Sequence, residues 1–134
     1  MEVTAAFTVA MLIALVSLQG SLTVLTSRTW TVMQVLTDAY LSQETAMENR
    51  YPYEDLTGSN TLWPTWPDYW QSSVSLGKTG TNSGQIYGTI QRFKELQTPS
   101  ANYTGAETYL LTSILTYQIG SATYVKTRMT LRTR

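Results

Sequence analysis

The stretch that decides the fold is VTAAFTVAMLIALVSLQGSLTVLTS, residues 3–27, which has 25 residues and no charged side chain. About 20 consecutive apolar residues are enough for a helix to cross the hydrocarbon core of a bilayer. Glu2 precedes the stretch and Arg28 follows it, so charges bracket an apolar segment of membrane-spanning length. We therefore interpret residues 3–27 as a single-pass transmembrane helix.

Two other interpretations of this segment fit less well. A soluble domain as small as this one seldom buries a helix on all sides. A cleaved secretory signal requires a basic residue before the apolar run and small residues at the cleavage site. This chain opens with Met1-Glu2, and near the end of the run Leu18 occupies the third position before a cleavage point after Gly20.

Beyond Arg28 the pattern becomes that of an amphipathic helix. The residues at helical spacing, which we expect to form its packing face, are Val32, Val35, Leu36, Ala39, Tyr40, Gln43 and Met47. No Gly or Pro interrupts the chain between Gly20 and Pro52, and the residue before a proline disfavours the helical conformation. The sequence therefore predicts one helix from Val3 to Asn49, on the order of 70 Å long at 1.5 Å per residue.

The remainder of the chain predicts short strands. The candidates are Ser73–Leu76, which is weak, Ile86–Leu96, Thr108–Gln118 and Thr123–Thr133. Gly120-Ser121 is a hairpin signal that pairs the last two strands in antiparallel fashion. In the last strand apolar and basic residues alternate, which predicts one buried and one wet face. The buried face would hold Val125, Met129 and Leu131, packed on residues 32–47 of the helix.

These elements predict an α+β fold, in which a long N-terminal helix packs on a small C-terminal antiparallel sheet. Residues 1–27 would form the membrane half of the helix. Residues 28–134 would form a globular domain that contains the second half of the helix, an aromatic loop and the strands.

The composition excludes several classes of function. The chain has 9 Lys and Arg residues and 9 Asp and Glu residues, so its formal net charge is zero. We therefore do not expect a partner that binds through a strongly basic surface, such as nucleic acid. The chain contains no His and no Cys, which excludes disulfide scaffolds, Cys/His zinc sites and His-dependent nucleophilic catalysis. We therefore expect no enzyme activity, no catalytic residues, no metal and no cofactor.

Three groups of residues are candidates for function. Trp63, Trp66, Tyr69 and Trp70 form the densest aromatic cluster, which would either stack on sugar rings or pack between helix and sheet. Lys126, Arg128 and Arg132 form a basic strand face, which would either contact a neighbouring subunit or lie in solvent and discourage edge pairing. Glu2 is the one charge at the membrane end, where a carboxylate is costly unless it is paired.

In this layout the chain resembles type IV pilin-like proteins, and most of all the pseudopilins of type II secretion. Met1-Glu2-Val3 is similar to the end of the family's Phe-Thr-Leu-Ile-Glu-Val segment, and the apolar run to Leu25 and the amphipathic run to Asn49 are similar to its long helix. In this register the family's basic leader, with its terminal Gly, would lie upstream of Met1. The C-terminal strands are similar to the family's small sheet.

The resemblance implies a filament subunit. The subunit would wait in the bacterial inner membrane with its C-terminal domain in the periplasm, after processing by prepilin peptidase and N-terminal methylation. The assembly machinery would then lift it into a helical filament of related subunits, periplasmic or extracellular, in which Glu2 neutralises the amine of a neighbour. The alternative is a single-pass tethered binding module whose Trp-rich loop binds carbohydrate.

Overall fold

A computed structural model describes residues 2–59, 61–78, 85–97 and 107–134, without the side chains of residues 2, 3 and 26. The elements in chain order are α1 (Glu2–Arg50), α2 (Tyr53–Thr57), β1 (Trp70–Lys78), β2 (Gln85–Gln97), β3 (Thr108–Ile119) and β4 (Ala122–Thr133). The chain divides into two compact units, Met1–Gln34 and Val35–Arg134. The predicted α+β class, with a long N-terminal helix and an antiparallel C-terminal sheet, is confirmed.

The helix α1 covers the predicted range from Val3 to Asn49 without interruption. It ends before Pro52, whose ring is compatible with a helix start but not with continuation of the preceding turn. The short helix α2 follows directly and buries Leu56.

The sheet is an antiparallel meander in the order β1-β2-β3-β4. Gly120 has a φ of 61° in the two-residue connection between β3 and β4, and this conformation fits the hairpin turns that match strand twist. The predicted pairing of residues 108–118 with residues 123–133 is confirmed, because Thr108 is opposite Thr133 and Ile119 is opposite Ala122. The predicted strand at 73–76 is longer, from Trp70 to Lys78. The segments between β1 and β2 and between β2 and β3, residues 79–84 and 98–106, lie outside the described residues.

Within the second unit, residues 35–50 of α1 pack on one face of the sheet, which we call the inner face. Its buried apolar side chains include Ile90, Leu111 and Leu115, and Leu41 of the helix is buried as well. A neighbouring cluster joins Leu56, Trp63 and Leu111 under α2 and the aromatic loop. The core therefore lies between one helix and one sheet face.

The predicted orientation of β4 is wrong. Val125, Met129 and Leu131 are each more than 60% exposed, on the face that points away from the helix. Lys126 and Arg132 point toward the helix instead: Lys126 pairs with Asp38 at 2.9 Å, and Arg132 donates to the carbonyl oxygen of Tyr51 at 2.8 Å. The acceptors for these basic groups lie on the helix and directly after its end. The basic residues of β4 therefore occupy the inner face, and its apolar residues lie on the opposite face.

The predicted packing face of the helix is right only in part. Leu36, Tyr40 and Met47 are half-buried, and Met47 packs against the cluster of Leu56, Trp63 and Leu111. Val35 is 64% exposed, and Ala39 and Gln43 are exposed as well. The helix residues of the second unit that are fully or nearly fully buried are Thr37, Leu41, Glu44 and Glu48. Their spacing is helical, but half of the set is acidic, so a search for apolar periodicity selects a neighbouring face.

Candidate functional site

The N-terminal part of α1 presents an apolar surface that nothing in its own unit covers. Its large side chains between Phe7 and Leu25 are all 46–74% exposed. The helix is long and apolar enough to cross a membrane, with a mean hydropathy of 1.9 over its most apolar window. An uncovered apolar surface of this kind requires an apolar environment such as lipid or other helices.

The hydroxyl side chains in this segment do not oppose that environment. Thr8, Ser21 and Thr23 each donate a hydrogen bond to the carbonyl oxygen four residues earlier, at distances of 2.7, 3.0 and 2.9 Å. A hydroxyl that bonds its own helix backbone brings no unsatisfied donor into hydrocarbon. These three hydroxyls are therefore satisfied within the helix itself.

Glu2, the candidate assembly residue, is the first residue of α1. Its side chain lies outside the described residues, so its role stays a prediction.

The four candidate aromatic residues do not form one platform. Trp63 is fully buried and meets the ring of Tyr51 edge-on, with the centroids 5.3 Å apart. Trp70 is half-buried on the inner face, where its ring lies 4.5 Å from the guanidinium carbon of Arg92. These two tryptophans pack against core groups.

The other two aromatics are accessible. Trp66 is 55% exposed and its ring centroid lies 5.0 Å from that of Phe93, whose side chain is on the face of the sheet opposite the helix. Tyr69 is 53% exposed. Of the four candidates, Trp66 and Tyr69 therefore offer the rings that a ligand in solution can reach most easily.

The three candidate basic residues also differ in how accessible they are. Lys126 and Arg132 are engaged with Asp38 and with the backbone of Tyr51, as described above. Arg128, between them on the same side of β4, is exposed. Of the three predicted residues, Arg128 has the most accessible side chain.

The sequence analysis missed a buried ionic site between helix and sheet. Arg92 on β2 binds Glu44 with two parallel hydrogen bonds, Nε to Oε2 at 2.7 Å and Nη2 to Oε1 at 2.6 Å. The two side chains are 8% and 6% exposed. The guanidinium group also lies beside the ring of Trp70, so it has a counter-charge in its plane and an aromatic ring over it.

Two further charged side chains are buried near this pair. Both carboxylate oxygens of Glu48 accept a hydroxyl hydrogen bond, one from Ser113 at 2.7 Å and the other from Thr130. Lys94 donates to the carbonyl oxygen of Leu56, and burial lowers the pKa of its amine. These contacts give each group a partner, and those of Glu48 join the helix to the sheet.

One sequence signal pointed to this site. Glu44 and Glu48 are four residues apart, so they share a helix face, and that face also carries Leu41. Nothing local identifies their partners, because Arg92, Ser113 and Thr130 lie 48 to 82 residues further along the chain.

No cluster of acidic residues in the described ranges has the arrangement of a metal site. No protein-family model, curated protein or solved structure matches the chain.

Proposed function

We propose that this chain is a structural subunit of a type IV pilus-like filament or a type II secretion pseudopilus, held in the inner membrane before assembly. The observation that carries the proposal is the N-terminal part of α1, whose apolar side chains are exposed and in which the hydroxyls of Thr8, Ser21 and Thr23 are satisfied by the helix itself. Such a surface suits lipid before assembly and other copies of the same helix afterwards. The antiparallel sheet carried by residues 35–134 agrees with the layout of these subunits.

In this proposal Glu2 acts as an assembly residue. An unpaired carboxylate inside an apolar helix bundle costs several kcal/mol, and a neighbouring amine offsets that cost only when the subunits are in the correct axial register. Glu2 would therefore select the register in which subunits join, and would contribute nothing to the folding of residues 35–134.

The test is Glu2→Gln in the full chain, expressed in cells that assemble the filament. We expect less sheared filament while the amount of membrane-inserted subunit and its melting temperature stay unchanged. Glu54→Gln is the matched control, because Glu54 is an exposed acid in the second unit. Wild-type filament levels in the Glu2→Gln strain would contradict the proposal.

A second candidate function is a membrane-tethered module that binds carbohydrate. It is favoured by the exposure of Trp66 and Tyr69, which are rings of the type that stack on sugars. The two candidates separate cleanly, because Trp66→Ala would abolish sugar binding without altering a filament. Trp63→Ala is unsuitable for this comparison, since Trp63 is fully buried and its loss would destabilise the fold.

A further inference from the structure

The face of the sheet opposite the helix, which we call the outer face, is almost free of charge. Alternation along the paired strands assigns two charged side chains to it among the described residues, Lys78 on β1 and Glu95 on β2. The other outer-face side chains are hydroxyls, amides, aromatics and aliphatics. The other five charged side chains of the four strands, Arg92, Lys94, Lys126, Arg128 and Arg132, lie on the inner face.

One side of the outer face is apolar. Val125, Met129 and Leu131 on β4 are 61%, 63% and 63% exposed, and Leu110 and Ile114 of β3 lie beside them. Contiguous exposed apolar side chains of this kind mark an interaction surface in a soluble domain.

We propose that the outer face binds the outer face of a second copy of this chain, sheet against sheet. A surface that meets its own copy must avoid placing like charges opposite each other. A nearly uncharged face meets that requirement, whereas it offers little to a strongly charged partner. Sheets that pack in this way keep their strands within about 30° of one another and interdigitate their side chains.

The two outer-face charges favour one arrangement of the pair. In the register of the sheet, Lys78 is opposite Gln85 of β2, and Glu95 lies ten positions further along that strand, so the opposite charges are at opposite ends of the face. A two-fold axis that lies between the two sheets, perpendicular to their strands, makes the strands of one copy run opposite to those of the other. Lys78 of each copy then lies near Glu95 of the other copy, so the interface contains two ion pairs.

The size of the face is also sufficient. The strands have 9, 13, 12 and 12 residues. At about 3.4 Å per residue and about 4.8 Å between strands, four such strands cover roughly 750 Å². A stable interface of standard size buries about 800 Å² on each partner. A two-fold contact closes on itself, so it is distinct from the repeating contacts of a filament and does not rest on the proposed function.

The first test is site-directed cross-linking of the full chain in membranes, which is straightforward because the chain has no cysteine. Thr127→Cys places a thiol on the outer face, about halfway along the edge strand β4, and Arg128→Cys places one on the next residue of the same strand, pointing the other way. With a short bismaleimide we expect a covalent dimer from Thr127→Cys and at least tenfold less from Arg128→Cys. Equal yields from the two variants would overturn the proposal.

The second test measures the mass of the full chain in detergent micelles by sedimentation. We expect a dimer whose dissociation constant rises at least tenfold with Met129→Arg, a change at an exposed position that leaves the circular dichroism spectrum intact. Lys78→Glu or Glu95→Lys alone should raise the constant severalfold, and the two together should restore it. A monomer at all concentrations up to about 100 μM would overturn the proposal. A dimer insensitive to Met129→Arg would also overturn it, and would assign self-association to the apolar helix.

Discussion

Removal of one partner from the Glu44–Arg92 pair should destabilise the second unit strongly. In Glu44→Leu the Arg92 guanidinium loses both of its short hydrogen bonds. The Arg92 side chain is only 8% exposed, so solvent does not replace the lost partner. Breaking a buried ion pair by deleting one member costs about 3–5 kcal/mol, because the remaining charge is buried without compensation. The ring of Trp70 stays beside the guanidinium, so we expect the lower end of this range.

A loss of about 3 kcal/mol is a large share of the roughly 5–15 kcal/mol that stabilises a domain. Since 1 kcal/mol corresponds to about 4–8 °C for a domain of 60–100 residues, the melting temperature should fall by about 12 °C or more. Arg92→Met should cost a similar amount, because it leaves the Glu44 carboxylate buried without its counter-charge. The double variant Glu44→Leu/Arg92→Met replaces both charges by apolar groups, which is often close to neutral.

The assay is thermal and urea unfolding of the full chain in detergent micelles, followed by tryptophan fluorescence. Trp63 and Trp70 both lie within 5.6 Å of the Arg92 guanidinium carbon, measured to the ring centroid, so their emission reports on the site. Asp38→Asn is the matched control: its partner Lys126 is 2.9 Å away, but the Asp38 side chain is 56% exposed. An exposed pair of this kind contributes about 0–1 kcal/mol.

Positions 44 and 92 should therefore show a coupling energy of about 6 kcal/mol, because two single losses of about 3 kcal/mol each are compared with a double variant that is close to neutral. The explanation by a buried ion pair is refuted if either single variant costs less than about 1 kcal/mol, which would mean that the pair is solvated. It is equally refuted if the double variant costs the sum of the two single variants, since the losses would then come from packing and not from an unpaired charge.

The remaining predictions concern packing, protonation and the orientation of β4. Gly88→Ala should cost about 1–3 kcal/mol in urea unfolding, because a Cβ there would lie 2.9 Å from a leucine methyl and 3.1 Å from a carbonyl oxygen. Gly20→Ala, where nothing lies within 4 Å of that Cβ, should cost nothing. Burial lowers the pKa of Lys94 below its usual 10.5, so the unfolded chain binds its proton more tightly. The free energy of unfolding should therefore rise with pH between the pKa of Lys94 in the folded chain and its usual 10.5. In Lys94→Met this rise should be absent when unfolding is measured as a function of pH. Leu111→Ala should cost about 2–5 kcal/mol and Leu131→Thr little, because the first side chain is fully buried and the second is 63% exposed; equal losses would contradict the observed orientation of β4.

The sequence by itself determined the elements and their order. The uninterrupted run from Val3 to Asn49 predicted one helix, since neither Gly nor Pro intervenes after Gly20, and α1 follows it to within a residue or two at each end. The hairpin at Gly120-Ser121 was equally local, because a two-residue turn with Gly in a positive-φ position forces the flanking strands to pair. The apolar character of residues 3–27 also required no tertiary information, as it depends on composition alone.

Only the tertiary structure decided which faces meet. Apolar periodicity assigned Val35 to the core of the second unit and Val125 to the inner side of β4, yet both are more than 60% exposed. The physical reason is that the helix and sheet of this unit meet partly through charged groups, whose burial is favourable only when each finds a partner with the right geometry. Those partners are distant in sequence, as with Glu44 and Arg92, 48 residues apart, so no local pattern can show that a carboxylate belongs inside. Once the acidic face of the helix turns inward, the basic face of β4 must follow it, and the apolar side chains of β4 are left on the outside.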